Sequence, residues 1–173
     1  MTDQAERLAE DFENANNDFI ALIERLEEGH WLTPCAAEGW TVGVAATHIA
    51  EDHKLLAGFV EMVANGQSLP DMTSEALNEF NAEMAGRNAG IAKEQTIDLL
   101  QTNGAAAAAV IRGLTSAQLD SATVVPAYHP IRLLEGLPER VTAQDLIEAV
   151  MIKHVGEHGA SIRAAIAPAA EVR

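Results

Sequence analysis

Apolar side chains recur every three or four residues over most of the chain, the repeat that lines one face of an α-helix. Over residues 2–28 they fall at Leu8, Phe12, Ala15, Phe19, Leu22, Ile23 and Leu26, with Thr2 at the start and Gly29 expected to end the helix. The next stretch, HWLTPCAAEGW, breaks the pattern with Pro34 and Gly39 and reads as a loop. The repeat resumes at Ala45, Ile49, Leu56, Phe59, Val60 and Val63. Thr41 is placed to cap this second helix, and NGQSLP stops it after Ala64. A third region is predicted helical from Thr73 or Ser74 to Ala85, is interrupted by GRNAG, and resumes from Lys93 to Arg112. Its alanine run, Ala105 to Ala109, reads as a close helix contact. The last helix is expected to start behind the hydroxyl of Thr142 and run to Ala167, before Pro168. Its buried stripe is Ile147, Val150, Met151, Ile162 and Ala165, and Ile152 points away from it, as a residue at a subunit interface does.

Between Leu114 and Val141 lies a connection carrying Pro126, Pro130, Gly136 and Pro138. Connections of that length often cover a site. The 173 residues fit one domain, 1–173, and 48% of them are hydrophobic while only 4% are aromatic. Such a core is built from Ala, Leu, Ile and Val, which suits closely packed helices better than a sandwich or barrel. The expected fold is all-α, an up-down four-helix bundle with a long connection before its last helix. The net charge of −15 opposes binding to nucleic acid or to an anionic membrane surface. The acidic, amphipathic start is unlike a signal peptide, and no apolar run reaches membrane-spanning length. With Cys35 alone there is no internal disulfide, so a cytoplasmic location is expected.

The chemistry concentrates in IKHVGEHGASIR, residues 152–163. His154 and His158 lie one turn apart on the buried stripe, so they are either two ligands of one ion or two interior imidazoles competing for acceptors. On the second helix Asp52 falls near the centre of the inner face, and His48, one turn earlier, at its edge. A buried aspartate needs a partner. It is a fourth ligand, an acceptor for an imidazole N–H, or half of a salt bridge. Two histidines from one helix and one from its neighbour leave coordination positions open, as catalytic ions require. His53, on the flank of its helix, is expected at the surface or an interface. His30 and His129 sit in loops, and His129 in PAYHP is the catalytic candidate because its connection can lie over the site. Cys35 reads as a bystander thiol, and Trp31 and Trp40 as anchors of the first loop.

The stretches GWTVGVAATHIAED (39–52) and HVGEHGASIR (154–163) together resemble the DinB-like superfamily, which includes metal-dependent thiol transferases and mycothiol-dependent maleylpyruvate isomerases. In that superfamily a tryptophan precedes the second helix, a histidine follows within it, and an H-x-x-x-H pair lies on the last helix. Here these are Trp40, His48, His154 and His158, and the helix order agrees over nearly the whole chain. The isomerase branch is the less similar one, because it places a glutamate where this chain has His154. The resemblance implies a divalent ion held by His48, His154 and His158, and a homodimer. Imidazole suits several ions, with zinc or nickel the expectation. Three neutral ligands leave the ion its full charge to activate water or a thiol. The expected activity is transfer of a low-molecular-weight thiol to an electrophilic small-molecule substrate, with Asp52 or Glu51 orienting a ligand or accepting a proton and residues 128–132 shaping the pocket. Hydrolysis, isomerisation and a non-catalytic metal-binding dimer are the other readings.

Overall fold

In the computed structural model, residues 3–167 are described, save the side chains of Leu133 and Leu134. Thr2 and Pro168, expected at the outer ends of the first and last helices, lie outside the described residues. Helix α1 (Asp3–Glu24) buries Leu8, Phe12, Phe19 and Ile23, the spacing read from the sequence. It ends earlier than expected. A tight turn, closed by Leu26 N–H on the Ile23 carbonyl at 3.1 Å, brings Leu26 back into the core. Gly29 falls instead within a short helix, α2 (Glu28–Trp31). The loop that follows contains a two-residue hairpin, β1 (Pro34–Cys35) against β2 (Trp40–Thr41). Trp31 anchors it, donating from Nε1 to the Ile91 carbonyl at 2.9 Å. Its ring lies so close to Gly43 that a β-carbon there would come within 2.6 Å.

Helix α3 (Val42–Ala64) begins where Thr41 accepts a hydrogen bond from Val44 N–H at 3.3 Å. Thr73 caps α4 (Ser74–Asn88) in the same way. That helix runs a few residues past the expected Ala85 and breaks before α5 (Lys93–Gly113). Of the alanine run only Ala107 and Ala108 are buried; with Gly104 and Ile111 they form the inner face of α5. The long connection is not structureless. It holds α6 (Ser116–Leu119), β3 (Ala122–Val124), α7 (Pro130–Glu135) and β4 (Arg140–Thr142), with β3 and β4 paired antiparallel. Thr142 then caps α8 (Ala143–Leu146), its side chain bonded to Asp145 in return. A π-helical segment, Ile147–Lys153, joins α8 to α9 (His154–Ile166). The final helix is therefore not the uninterrupted α-helix that its periodicity suggests. Ile152 lies in the π segment and packs, partly buried, against the core. The outward direction expected for it assumed α-helical turns.

The helices do not alternate strictly. Arg112 at the end of α5 pairs with Glu6 and Glu13 in the first half of α1, and Asn16 further along α1 meets Leu100 earlier in α5, so those two helices are antiparallel. Thr47 meets Thr96 at 2.8 Å, and Asn103 donates to the Ala50 carbonyl at 2.7 Å, so α3 and α5 run the same way. His48 lies by His158, and Asp52 by His154, so α3 and the last helix are antiparallel. The order is up, down, down, up, which corrects strict up-down alternation within the expected four-helix bundle. Residues 65–92 make it workable: α4, about 22 Å long at 1.5 Å per residue, helps return the chain to the end where α3 began. Among the described residues no helix is long and apolar enough to cross a membrane.

Two apolar clusters fill the bundle. One gathers Phe12, Val60, Ile111 and Ile147, the other Phe19, Ile49, Leu100 and Ile162. Between them lies a polar layer. Asn16 donates from Nδ2 to the Leu100 carbonyl at 3.1 Å and meets His53 Nε2 with its Oδ1 at 2.8 Å. His53 is thus 1% exposed, not at the surface as expected. Helix α3 is enclosed on several sides, with 17 of its 23 residues buried, so its flank is interior too.

Candidate metal centre

Antiparallel packing of α3 on the last helix sets His48 and Asp52 opposite His158 and His154. One potential ligand atom from each of His48, His154 and His158 lies within 4.8 Å of the other two. The ring centroids are 5.9 Å apart for His48 and His154, 5.2 Å for His48 and His158, and 4.4 Å for His154 and His158. Nitrogens sharing one tetrahedral ion at ~2.0–2.1 Å would be about 3.3 Å apart. Ring rotations and small shifts would be enough to close the difference around an ion.

The outward nitrogens of the last helix meet carboxylates. His154 Nδ1 is 3.4 Å from Glu135 Oε1, and His158 Nδ1 is 3.1 Å from Glu38 Oε2. The second contact is short but lacks hydrogen-bond alignment, since His158 Nδ1 is buried without a bonded partner. Such carboxylate–imidazole pairs turn the other nitrogen inward and fix the ring. Asp52 closes the cluster: its Oδ2 is 3.1 Å from His48 Nε2 and 3.7 Å from His154 Nε2. His48 Nδ1 is also buried and unpartnered, while Trp40 packs against that ring at 5.2 Å. Three imidazoles converging beside the inward Asp52 carboxylate suit a cation, and a donor set of imidazole and carboxylate suits a divalent first-row metal.

The electrostatics follow from burial and these contacts. Burial pushes His48 below its ordinary value, aided by the neighbouring imidazoles and opposed by Asp52. Burial also works against protonation of His154, but Asp52 and Glu135 outweigh it and carry that residue up to about 9 in the metal-free protein. Glu38 and Glu135 would be raised by burial, yet His158 and His154 beside them hold both below the usual carboxylate range. Glu135, His154 and Glu157 form a second group within 4.8 Å, but Lys153 already sits 3.5 Å from Glu135 and 3.3 Å from Glu157.

The imidazoles lie at the wall of a cleft of about 480 Å³. Trp40, Asp52, Glu38 and Glu135 share their end of it, while Leu55, Phe59, Leu77, Phe80, Ile131 and Val150 line the rest. Residues 128–132 contribute Pro130 and Ile131. His129 does not line it. That residue is buried, with Nε2 3.1 Å from the Pro70 carbonyl, tying the start of α7 to the chain ahead of α4. Tyr128 makes a parallel tie from its hydroxyl to Asp71 at 2.8 Å. Glu51 faces α4, accepting from Asn88 at 3.0 Å. Cys35 is buried outside the cleft, and burial raises its thiol. Glu38 and Glu135 escaped the sequence reading because both lie in connections, where no periodicity assigns a side chain to a face. The one hint was Glu38, two residues ahead of Trp40.

Fold and cluster together define a helical bundle with three converging imidazoles beside a cleft. Residues 12–135 match the family model of the mycothiol maleylpyruvate isomerase N-terminal domain, and the chain belongs to this DinB-like family. The match ends ahead of the helix that carries His154 and His158, and it falls on the branch expected to be less similar. Among solved structures, the fold is similar to that of YfiT from Bacillus subtilis, described as a probable metal-dependent hydrolase with an unusual four-helix bundle topology. The TM-score is 0.71 at 18% identity, over 95% of this chain and 86% of that one, a likeness of fold. No curated protein matches the sequence.

Proposed function

We propose that His48, His154 and His158 hold one divalent metal ion, zinc or nickel, and that the protein transfers a low-molecular-weight thiol to an electrophilic small molecule. The observation that carries this reading is the junction of cluster and cleft: the three imidazoles line a cavity of about 480 Å³, where a sealed site would suit a purely structural ion. When bound, the ion supplies positive charge that lowers the pKa of a thiol or a water molecule.

The remaining work falls to the chain. Asp52 is the carboxylate placed among the inward nitrogens, 3.1 Å from His48 Nε2, and it accepts the proton that leaves the thiol. The sulfur then forms a bond to the electrophilic carbon. Where that carbon belongs to a double bond, the π bond breaks and the proton ends on the carbon next to it. Where it carries a leaving group, as in an activated arene, that bond breaks and the group departs with the electron pair while the proton passes to solvent. Glu38 and Glu135 hold the imidazoles of His158 and His154 in orientation. Trp40 packs on His48 and shields that side from water. His129 contributes by position, through the Pro70 carbonyl, and touches no reacting atom. Hydrolysis is the second reading, favoured by the same placement of Asp52, which would take a proton from water equally well.

The test starts with elemental analysis of protein purified without a nickel column, expected to find about one metal per chain. His158→Ala should lose that metal together with thiol consumption in a screen of small thiols against an electrophilic arene. Unchanged metal content and unchanged thermal stability in that variant would overturn the ligand assignment. Thiol consumption by the metal-free protein at the wild-type rate would overturn the role of the ion.

A further inference from the structure

We infer that the cleft selects uncharged, largely apolar molecules and rejects those with a carboxylate far from the imidazoles, an inference that rests on the cleft being the substrate site. Its charged lining residues besides histidine are Glu38, Asp52, Glu135 and Glu157, and no Lys or Arg is among the described residues that line it. Three nearby cations already have partners, Lys153 among the lining carboxylates themselves. Lys153 sits against Glu135 and Glu157, Arg87 against Glu51, and Arg132 donates to the Val125 carbonyl at 3.1 Å.

The end remote from the imidazoles is apolar, and two of its side chains, Leu55 and Phe80, are 36% and 39% exposed. A molecule lodged between α3 and α4 would remove that surface from water, the main source of affinity such a wall can offer. Helix α4 leaves the space half open, since only Met84 and Asn88 of its residues are buried. A carboxylate at this end would lose water and meet no donor of opposite charge. Towards the imidazoles it would face four carboxylates, whose counter-charges, Lys153 and the His154 imidazole, are fewer and already paired with them. A net repulsion remains that only a head group bound directly to a further cation escapes. A dicarboxylate cannot escape it with both ends.

Matched probes test this. In metal-free protein, 4-phenylbutanol and 4-phenylbutanoate are titrated against the fluorescence of Trp40, with Trp40→Phe showing that the signal comes from the cleft. The alcohol should bind tenfold or more tightly than the carboxylate, on the order expected for an unpaired charge losing water. Phe80→Arg, a change at a partly exposed position of α4, should narrow the gap by at least half on a logarithmic scale. Zinc-loaded protein then receives 6-mercaptohexanol and 6-mercaptohexanoate, which share a thiol head and differ at the far end; the same order is expected. Binding of phenylbutanoate as tight as that of phenylbutanol, or no binding of the alcohol at its solubility limit, overturns the inference. If the alcohol is preferred but zinc improves neither thiol, the selectivity stands and the metal–thiol reading fails.

Discussion

Replacing Gly104 with alanine should destabilise the protein, against the ordinary rule for a helix interior. Gly→Ala within a helix is worth about 1 kcal/mol in favour of the variant. Gly58 in α3 should follow that rule, because a β-carbon there meets nothing within 4 Å. At position 104 the new carbon would collide with Nδ2 of Asn16. That side chain cannot swing away freely: it is 5% exposed, donates to the Leu100 carbonyl at 3.1 Å and holds His53 at 2.8 Å. Relieving the clash breaks both bonds and strands the amide and the imidazole in the interior, at ~1–3 kcal/mol each. Subtracting ~1 kcal/mol for helix propensity leaves a net loss of about 3 kcal/mol. For a chain of this size that corresponds to roughly 6–12 °C in Tm. Urea unfolding followed by circular dichroism gives the comparison directly. Gly58→Ala should gain up to ~1 kcal/mol, and Asn16→Ala combined with Gly104→Ala should lose less than the sum of the single changes. If Gly104→Ala is as stable as the parent, the packing of the polar layer has been misread.

The same layer makes stability depend on pH. Burial pushes His53 down to about 4, against the pull of the Asp52 carboxylate, while in the unfolded chain it titrates near ~6.5. The unfolded state therefore takes the proton first, and the stability present above pH ~6.5 is lost as pH falls towards 4, up to about 3 kcal/mol in all. His53→Asn should flatten that slope in urea midpoints measured at several pH values; an unaltered slope would point to other groups. Glu38→Gln and Glu135→Gln should each weaken metal binding by about 10–100-fold with helicity intact. Competition against a chromogenic chelator measures this, and parent-like affinity in both variants would remove the orienting role of the carboxylates.

What a single helix can signal was legible along the chain. The threonines at 41 and 142 cap helices as expected, and Thr73, expected only near the start of its helix, caps it too, because capping is settled within one turn. The inner faces of α1 and α3 follow the apolar repeat, and the one-turn spacing of His154 and His158 did place both imidazoles together. The likeness to the DinB-like superfamily rested on such local signals in their order, and the family match agrees with it.

Tertiary structure decided the rest, for one physical reason: periodicity tells which side of a helix is buried, and not against what. Nothing in the repeat chose the parallel pairing of α3 with α5 or the π segment ahead of His154. Enclosure of α3 by its neighbours, not its own pattern, took His53 out of water. Glu38 and Glu135 reach the cluster only because the loop before α3 and the end of α7 fold over the last helix. The sequence by itself determined the helices and the histidines they carry; packing determined which carboxylates meet them and the apolar cleft onto which they open.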